Sequence, residues 1–105
     1  MVFRSVALLT LIATAPQAVA VSVSDAQVLA IARKHCAMCH AERPTHESFN
    51  EAPKGIVIET VADLKKYASA IYTQTVQTKT MPLGNQSGMT DDERAALGQW
   101  LKGSQ

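Results

Sequence analysis

Two thiols and an imidazole fall within five consecutive positions, Cys36-Ala37-Met38-Cys39-His40, and the chain has no other cysteine. C-x-x-C-H spacing marks covalent haem attachment. The reason is geometric. Residues three apart share a face of a helical turn, so both sulfurs can reach the two vinyl groups on one porphyrin edge. His40, next in sequence, can then turn its ring toward the iron as proximal ligand. Tethering through Cys36 and Cys39 also keeps the cofactor from leaving a small, exposed fold.

Other uses of the pair fit less well. Structural zinc takes four ligands, and this chain offers two cysteines and three histidines without a second ligand pair. A thioredoxin-like redox pair belongs to a βαβ context, and no convincing strand pattern is present. A surface disulfide would leave the small core unexplained.

A six-coordinate haem needs one more axial ligand. Met81 is the favoured candidate, in the loop Thr80-Met81-Pro82-Leu83-Gly84-Asn85. Pro82 restricts the backbone there and Gly84 permits a tight turn, which could hold a thioether over the distal face. Filling a hydrophobic gap is the ordinary role of a methionine, and the attachment motif upstream is what favours Met81 as a ligand. Met89 is the second choice, although it directly precedes a helix cap and is expected to pack on the last helix. Met38 lies inside the attachment motif, too close to reach the opposite face. His46 is only six residues beyond His40 and reads as a polar loop residue; His35 reads as solvent-facing. A ligating histidine usually donates its other N–H to a carbonyl or carboxylate, and the Pro53 carbonyl is a candidate acceptor.

The elements that must position these residues are short. Residues 1–20 read as a cleavable leader: Arg4 gives a positive start, Val6 to Ala15 is apolar apart from Thr10 and Thr14, Pro16 breaks the run, and Ala18-Val19-Ala20 suits a signal peptidase. The run is well short of the roughly 20 residues that span a bilayer, so no transmembrane span is expected in residues 21–105. Export implies a periplasmic location, with membrane association if the leader is retained. Of 105 residues, 10 are Lys or Arg and 9 are Asp or Glu; without Arg4 the two balance. That balance excludes a strongly basic nucleic-acid binder, and the length excludes a multidomain enzyme.

Three capping boxes are legible: Ser24 with Gln27, Thr60 with Asp63, and Thr90 with Glu93. The first helix should run from about Asp25 into the cysteine motif, with Val28, Leu29, Ile31 and Ala32 apolar. The second carries Val61, Leu64, Ala68, Ile71 and Thr75 at helical spacing. The third buries Leu97, Trp100 and Leu101. Loops at Ala41–Glu59 and Lys79–Met89 separate them. The fold class is therefore all-α, about three helices. So small a domain is marginal alone, with Phe49, Tyr67, Tyr72 and Trp100 as its large fillers, and a haem would occupy its middle. Trp100, Tyr67 and Tyr72 read as core residues.

The attachment motif, the Met-Pro loop and a final helix with a late Trp resemble the class I cytochrome c family. The runs Arg43-Pro44-Thr45-His46, Ala52-Pro53-Lys54-Gly55, Met81-Pro82-Leu83-Gly84-Asn85, Gly88-Met89-Thr90-Asp91-Asp92-Glu93-Arg94 and Gly98-Gln99-Trp100-Leu101 are similar to the cytochrome c domain of membrane-bound bacterial urate oxidases. The resemblance spans about Arg33 to Lys102. It implies His40 and Met81 as axial ligands and an electron-accepting role. This sequence departs from that group in carrying a leader and no membrane-spanning urate-oxidising portion, which a separately encoded partner could supply.

The expectation is a helical monohaem c-type cytochrome, not an enzyme by itself, shuttling one electron between redox partner proteins such as a donor dehydrogenase and an acceptor oxidase or cytochrome. Docking would use a small, transient interface. The alternative is a haem-based ligand-binding or sensor protein with a labile distal ligand. An accessory subunit of a dehydrogenase complex would keep the same chemistry.

Overall fold

The computed structural model describes residues 2–3, 5–11 and 22–105. The expectations that rest on Arg4, Pro16 and Ala18-Val19-Ala20 lie outside the described residues. Residues 5–11 carry no helix or strand, and Val6, Leu8, Leu9 and Leu11 are exposed. Among the described residues the secondary structure is helical, with no strand, and no helix is long and apolar enough to cross a membrane.

The helices begin where side chains satisfy the first free N–H groups. Helix α1 is Asp25–His35, where Ser24 Oγ accepts from the Gln27 N–H and Gln27 Oε1 accepts from the Ser24 N–H, at 3.1 and 2.9 Å. Thr60 and Asp63 do the same for α2, Val61–Lys66. Thr90 and Glu93 do so for the last helix, α4, Asp91–Gly103. Asp91, Asp92 and Glu93 fill its first turn and Lys102 its last, the order the helix dipole favours.

The expected second helix is broken into pieces. At Tyr67 the backbone leaves the helical region (φ −106°, ψ 17°), ending α2 and starting α3, Ala68–Tyr72. A π-helical turn follows over Thr73–Gln77. Threonine hydroxyls explain the change of pitch, because they compete for helix carbonyls. Thr73, Thr75 and Thr78 donate to the carbonyls of Ser69, Ile71 and Thr73. Of the expected apolar face, Leu64, Ala68, Ile71 and Thr75 are buried, and Val61 packs half-buried against the core.

Val28 and Ala32 of α1 meet Leu97, Trp100 and Leu101 of α4, with Leu64, Ala68, Ile71, Ile58 and Met89 completing the core. Leu64, Leu97 and Leu101 are fully buried, each contributing about 1.5–3 kcal/mol. Gly98 permits the close crossing of α4 over the π turn: a Cβ there would stand 3.0 Å from Val76 Cγ2. Trp100 Nε1 donates to Asp25 Oδ1 at 2.9 Å, tying the end of α4 to the start of α1. This helical frame holds up two loops, and the remaining space lies between them and the cysteine turn.

Candidate functional site

Helix α1 stops at His35 rather than running through the motif. The Cys36 N–H still reaches the Ala32 carbonyl at 2.8 Å; the Cys39 and His40 N–H groups then both fold back onto the Cys36 carbonyl, at 3.2 and 2.8 Å. The motif is a tight turn continuing from the helix. It brings Cys36, Cys39 and His40 to the wall of one cavity of about 610 Å³, within the ~300–1,000 Å³ of ligand pockets. Phe49, Ile56, Ile58, Tyr67, Ile71 and Leu83 supply most of its apolar lining.

His40 is held at both its backbone and its ring. Its carbonyl accepts from the Ile58 N–H at 2.7 Å, and Nδ1 lies 2.8 Å from the Ile56 carbonyl. A carbonyl only accepts, so Nδ1 carries the proton and Nε2 keeps its lone pair, the arrangement in which imidazole ligates a metal. The acceptor is therefore Ile56 and not Pro53. The 3₁₀ turn Pro53–Gly55 carries the chain past the ring before a carbonyl points at it.

Met81 lines the same cavity, and Met89 does not. Met89 is 4% exposed in the core, and both its backbone groups bond the Asn85 side chain. The loop that carries Met81 turns sharply through Gly84, whose φ of +55° suits glycine. Met38 also lines the cavity, but from within the motif turn. His46 reaches the cavity with both ring nitrogens engaged: Nδ1 accepts from the Ser48 N–H at 3.1 Å, and Nε2 donates to Gln86 Oε1 at 3.1 Å. That contact joins the two loops.

His35 is not solvent-facing. It is 3% exposed, with Nδ1 2.7 Å from Ser87 Oγ and Nε2 2.8 Å from Glu93 Oε2. Trp100 is a core residue as expected, 8% exposed, while Tyr67 and Tyr72 pack half-buried against the core.

Burial, reinforced by the neighbouring Cys39, pushes the Cys36 thiol up to about 11. Desolvation also raises Cys39. Both sulfurs are therefore thiols rather than thiolates at neutral pH. Among the described residues no three His, Cys, Asp or Glu side chains gather closely enough to hold a metal ion by themselves.

The sequence did not reveal the grip on the Met81 loop. The Met81 N–H donates to the Gln74 carbonyl at 2.9 Å. Its carbonyl accepts from Arg94 Nη1 at 3.0 Å, and the same nitrogen donates to the Thr75 carbonyl. Arg94 stands 13 residues from Met81 and 19 from Thr75, so no local pattern signals these bonds. Comparison of the chain with protein-family models, curated proteins and solved structures finds no match to any of them.

Proposed function

We propose that the chain is an exported monohaem c-type cytochrome that carries one electron between partner proteins. Cys36 and Cys39 would hold the haem through thioether bonds, His40 Nε2 would be the proximal iron ligand and Met81 the distal one. The observation that carries this reading is that these four side chains, selected by spacing and loop chemistry, border one apolar-walled cavity of about 610 Å³. A haem brings its own equatorial nitrogen donors, so the chain has to supply only the two axial ligands.

When bound, the haem supplies a reversible Fe(III)/Fe(II) couple, whose potential His/Met ligation raises. The chain's own residues do the rest. Each thiol would add its S–H across one vinyl group, exchanging the carbon–carbon double bond for a carbon–sulfur and a carbon–hydrogen bond. The Ile56 carbonyl fixes the orientation and tautomer of His40. Ile56, Ile58, Ile71 and Phe49 give that space an apolar wall, and an apolar surrounding favours the less charged state of a redox centre. The carrier reading is favoured over a sensor because both backbone polar groups of Met81 are fixed, as suits a retained ligand. The resemblance in motif points to a urate-oxidising or related dehydrogenase as electron donor.

The test is a reduced pyridine spectrum of periplasmic protein together with its intact mass. The expected result is a c-type haem spectrum and a mass equal to residues 21–105 plus one haem. Colourless protein at the mass of bare polypeptide would sink the proposal.

A further inference from the structure

We infer that Arg94 is a positioning residue for the distal ligand: one guanidinium nitrogen, bridging the main-chain carbonyls of Thr75 and Met81, fixes where the Met81 thioether stands in the cavity. The inference rests on the function proposed above.

The position of Arg94 is itself well determined. It lies in the first turn of α4, where its N–H bonds the Thr90 carbonyl at 3.0 Å, directly after the Thr90–Glu93 capping box. Trp100 anchors the far end of the same helix to Asp25. From that fixed base the half-buried side chain reaches two carbonyls on separate stretches of chain. Thr75 belongs to the π turn, and its hydroxyl is bonded to the Ile71 carbonyl at 2.7 Å, so its backbone is a rigid reference point. Met81 hangs from that turn through the Gln74 carbonyl. With its N–H and its carbonyl both held, the Met81 backbone is tied to two separate stretches of chain.

Without the guanidinium, two part-buried carbonyls lose a charged donor, and Met81 itself keeps only the Gln74 contact; the Gln86–His46, Ser87–His35 and Asn85–Met89 bonds hold the loop farther along the chain. Losing a hydrogen bond to a charged group shifts an equilibrium by roughly tenfold or more. Here the equilibrium is between Met81 on and off the iron. Glutamine is too short to span both carbonyls, whereas lysine, a flexible point charge, can still donate to one.

The test uses the haem-loaded protein and its Arg94→Gln, Arg94→Ala and Arg94→Lys variants, with Met81→Ala as the reference for a missing ligand. Four quantities are read: the ferric sulfur-to-iron charge-transfer band, the rate of carbon monoxide binding to reduced protein, far-ultraviolet circular dichroism, and the midpoint of chemical unfolding. The expected result is unchanged helix content and covalent haem in Arg94→Gln, with a weakened band and carbon monoxide binding faster by roughly tenfold or more. Arg94→Lys should recover part of the band. Arg94→Gln serves as the test should Arg94→Ala fail to fold. A band and carbon monoxide rate equal to wild type would overturn the inference, and so would a lowered unfolding midpoint with the band intact. A colourless wild type would instead sink the function proposed above, and this inference with it.

Discussion

His35 Nε2 stands 2.8 Å from Glu93 Oε2, joining the last residue of α1 to the first turn of α4 across 58 positions of sequence. A carboxylate only accepts, so Nε2 carries a proton toward Glu93, while Nδ1 pairs with the Ser87 hydroxyl at 2.7 Å. Glu93 has a second duty, because its other oxygen accepts from the Thr90 N–H at 3.1 Å. One carboxylate thus closes the helix cap and satisfies a buried histidine.

That double duty makes stability depend on acid. The Thr90 N–H, then the His35 hydrogen bond, lower the Glu93 carboxyl from 4.5 to about 2. A carboxylate with a depressed folded-state value stabilises the fold above its unfolded value and loses that contribution as pH falls through the folded one. Urea midpoints of the wild type should therefore fall between about pH 4.5 and 2. In Glu93→Gln the midpoint at neutral pH should be lower and this part of the pH dependence flatter. Parallel wild-type and variant curves would show that the carboxylate contributes nothing.

Gly98 tests the crossing of α4 over the π turn. In Gly98→Ala the new methyl meets Val76 Cγ2 at 3.0 Å, and valine's branched side chain has little rotamer freedom to yield. Overpacking of this kind costs about 1–3 kcal/mol, against a helix-propensity gain of about 1 kcal/mol. The expected net loss is up to about 2 kcal/mol in chemical denaturation. Adding Val76→Ala should return part of it, and a double variant no more stable than Gly98→Ala would contradict the steric explanation.

The bond between Trp100 and Asp25 should couple the two ends of the helical frame. Asp25→Ala removes the acceptor of the part-buried Trp100 indole N–H, at a cost of about 1 kcal/mol, the net worth of one hydrogen bond. Asp25→Asn, which keeps a carbonyl acceptor, should cost less. Combining Asp25→Ala with Trp100→Phe should give less than the sum of the single losses; simple additivity would mean that the 2.9 Å contact contributes nothing.

What could be read in advance was local. The three capping boxes and the buried faces of α1 and α4 depend on residues three or four apart, and they form as expected. The gathering of Cys36, Cys39 and His40 follows from one turn. Interactions between distant residues were not legible. His35 looks like any exposed polar residue until Ser87 and Glu93, 52 and 58 positions away, meet it. The acceptor of His40 is Ile56, an apolar residue whose contribution is its carbonyl, and side-chain chemistry gives no sign of that. The break at Tyr67 falls within an otherwise regular apolar stripe, and the π turn after it carries threonine hydroxyls that compete for carbonyls.

The two loop methionines should separate packing from ligation. Met89 is buried among core residues and does not border the cavity, whereas Met81 borders it. Met89→Ala should cost about 2–5 kcal/mol, as a buried large-to-small change does, and leave the haem spectrum as in the wild type. Met81 is only half-buried, so Met81→Ala should lose less from packing alone. It should abolish the sulfur-to-iron charge-transfer band and let carbon monoxide bind the reduced protein readily. Equilibrium unfolding and ferric spectra of both variants give the comparison. A band that survives Met81→Ala but disappears in Met89→Ala would reverse the assignment and move the distal ligand to the core methionine.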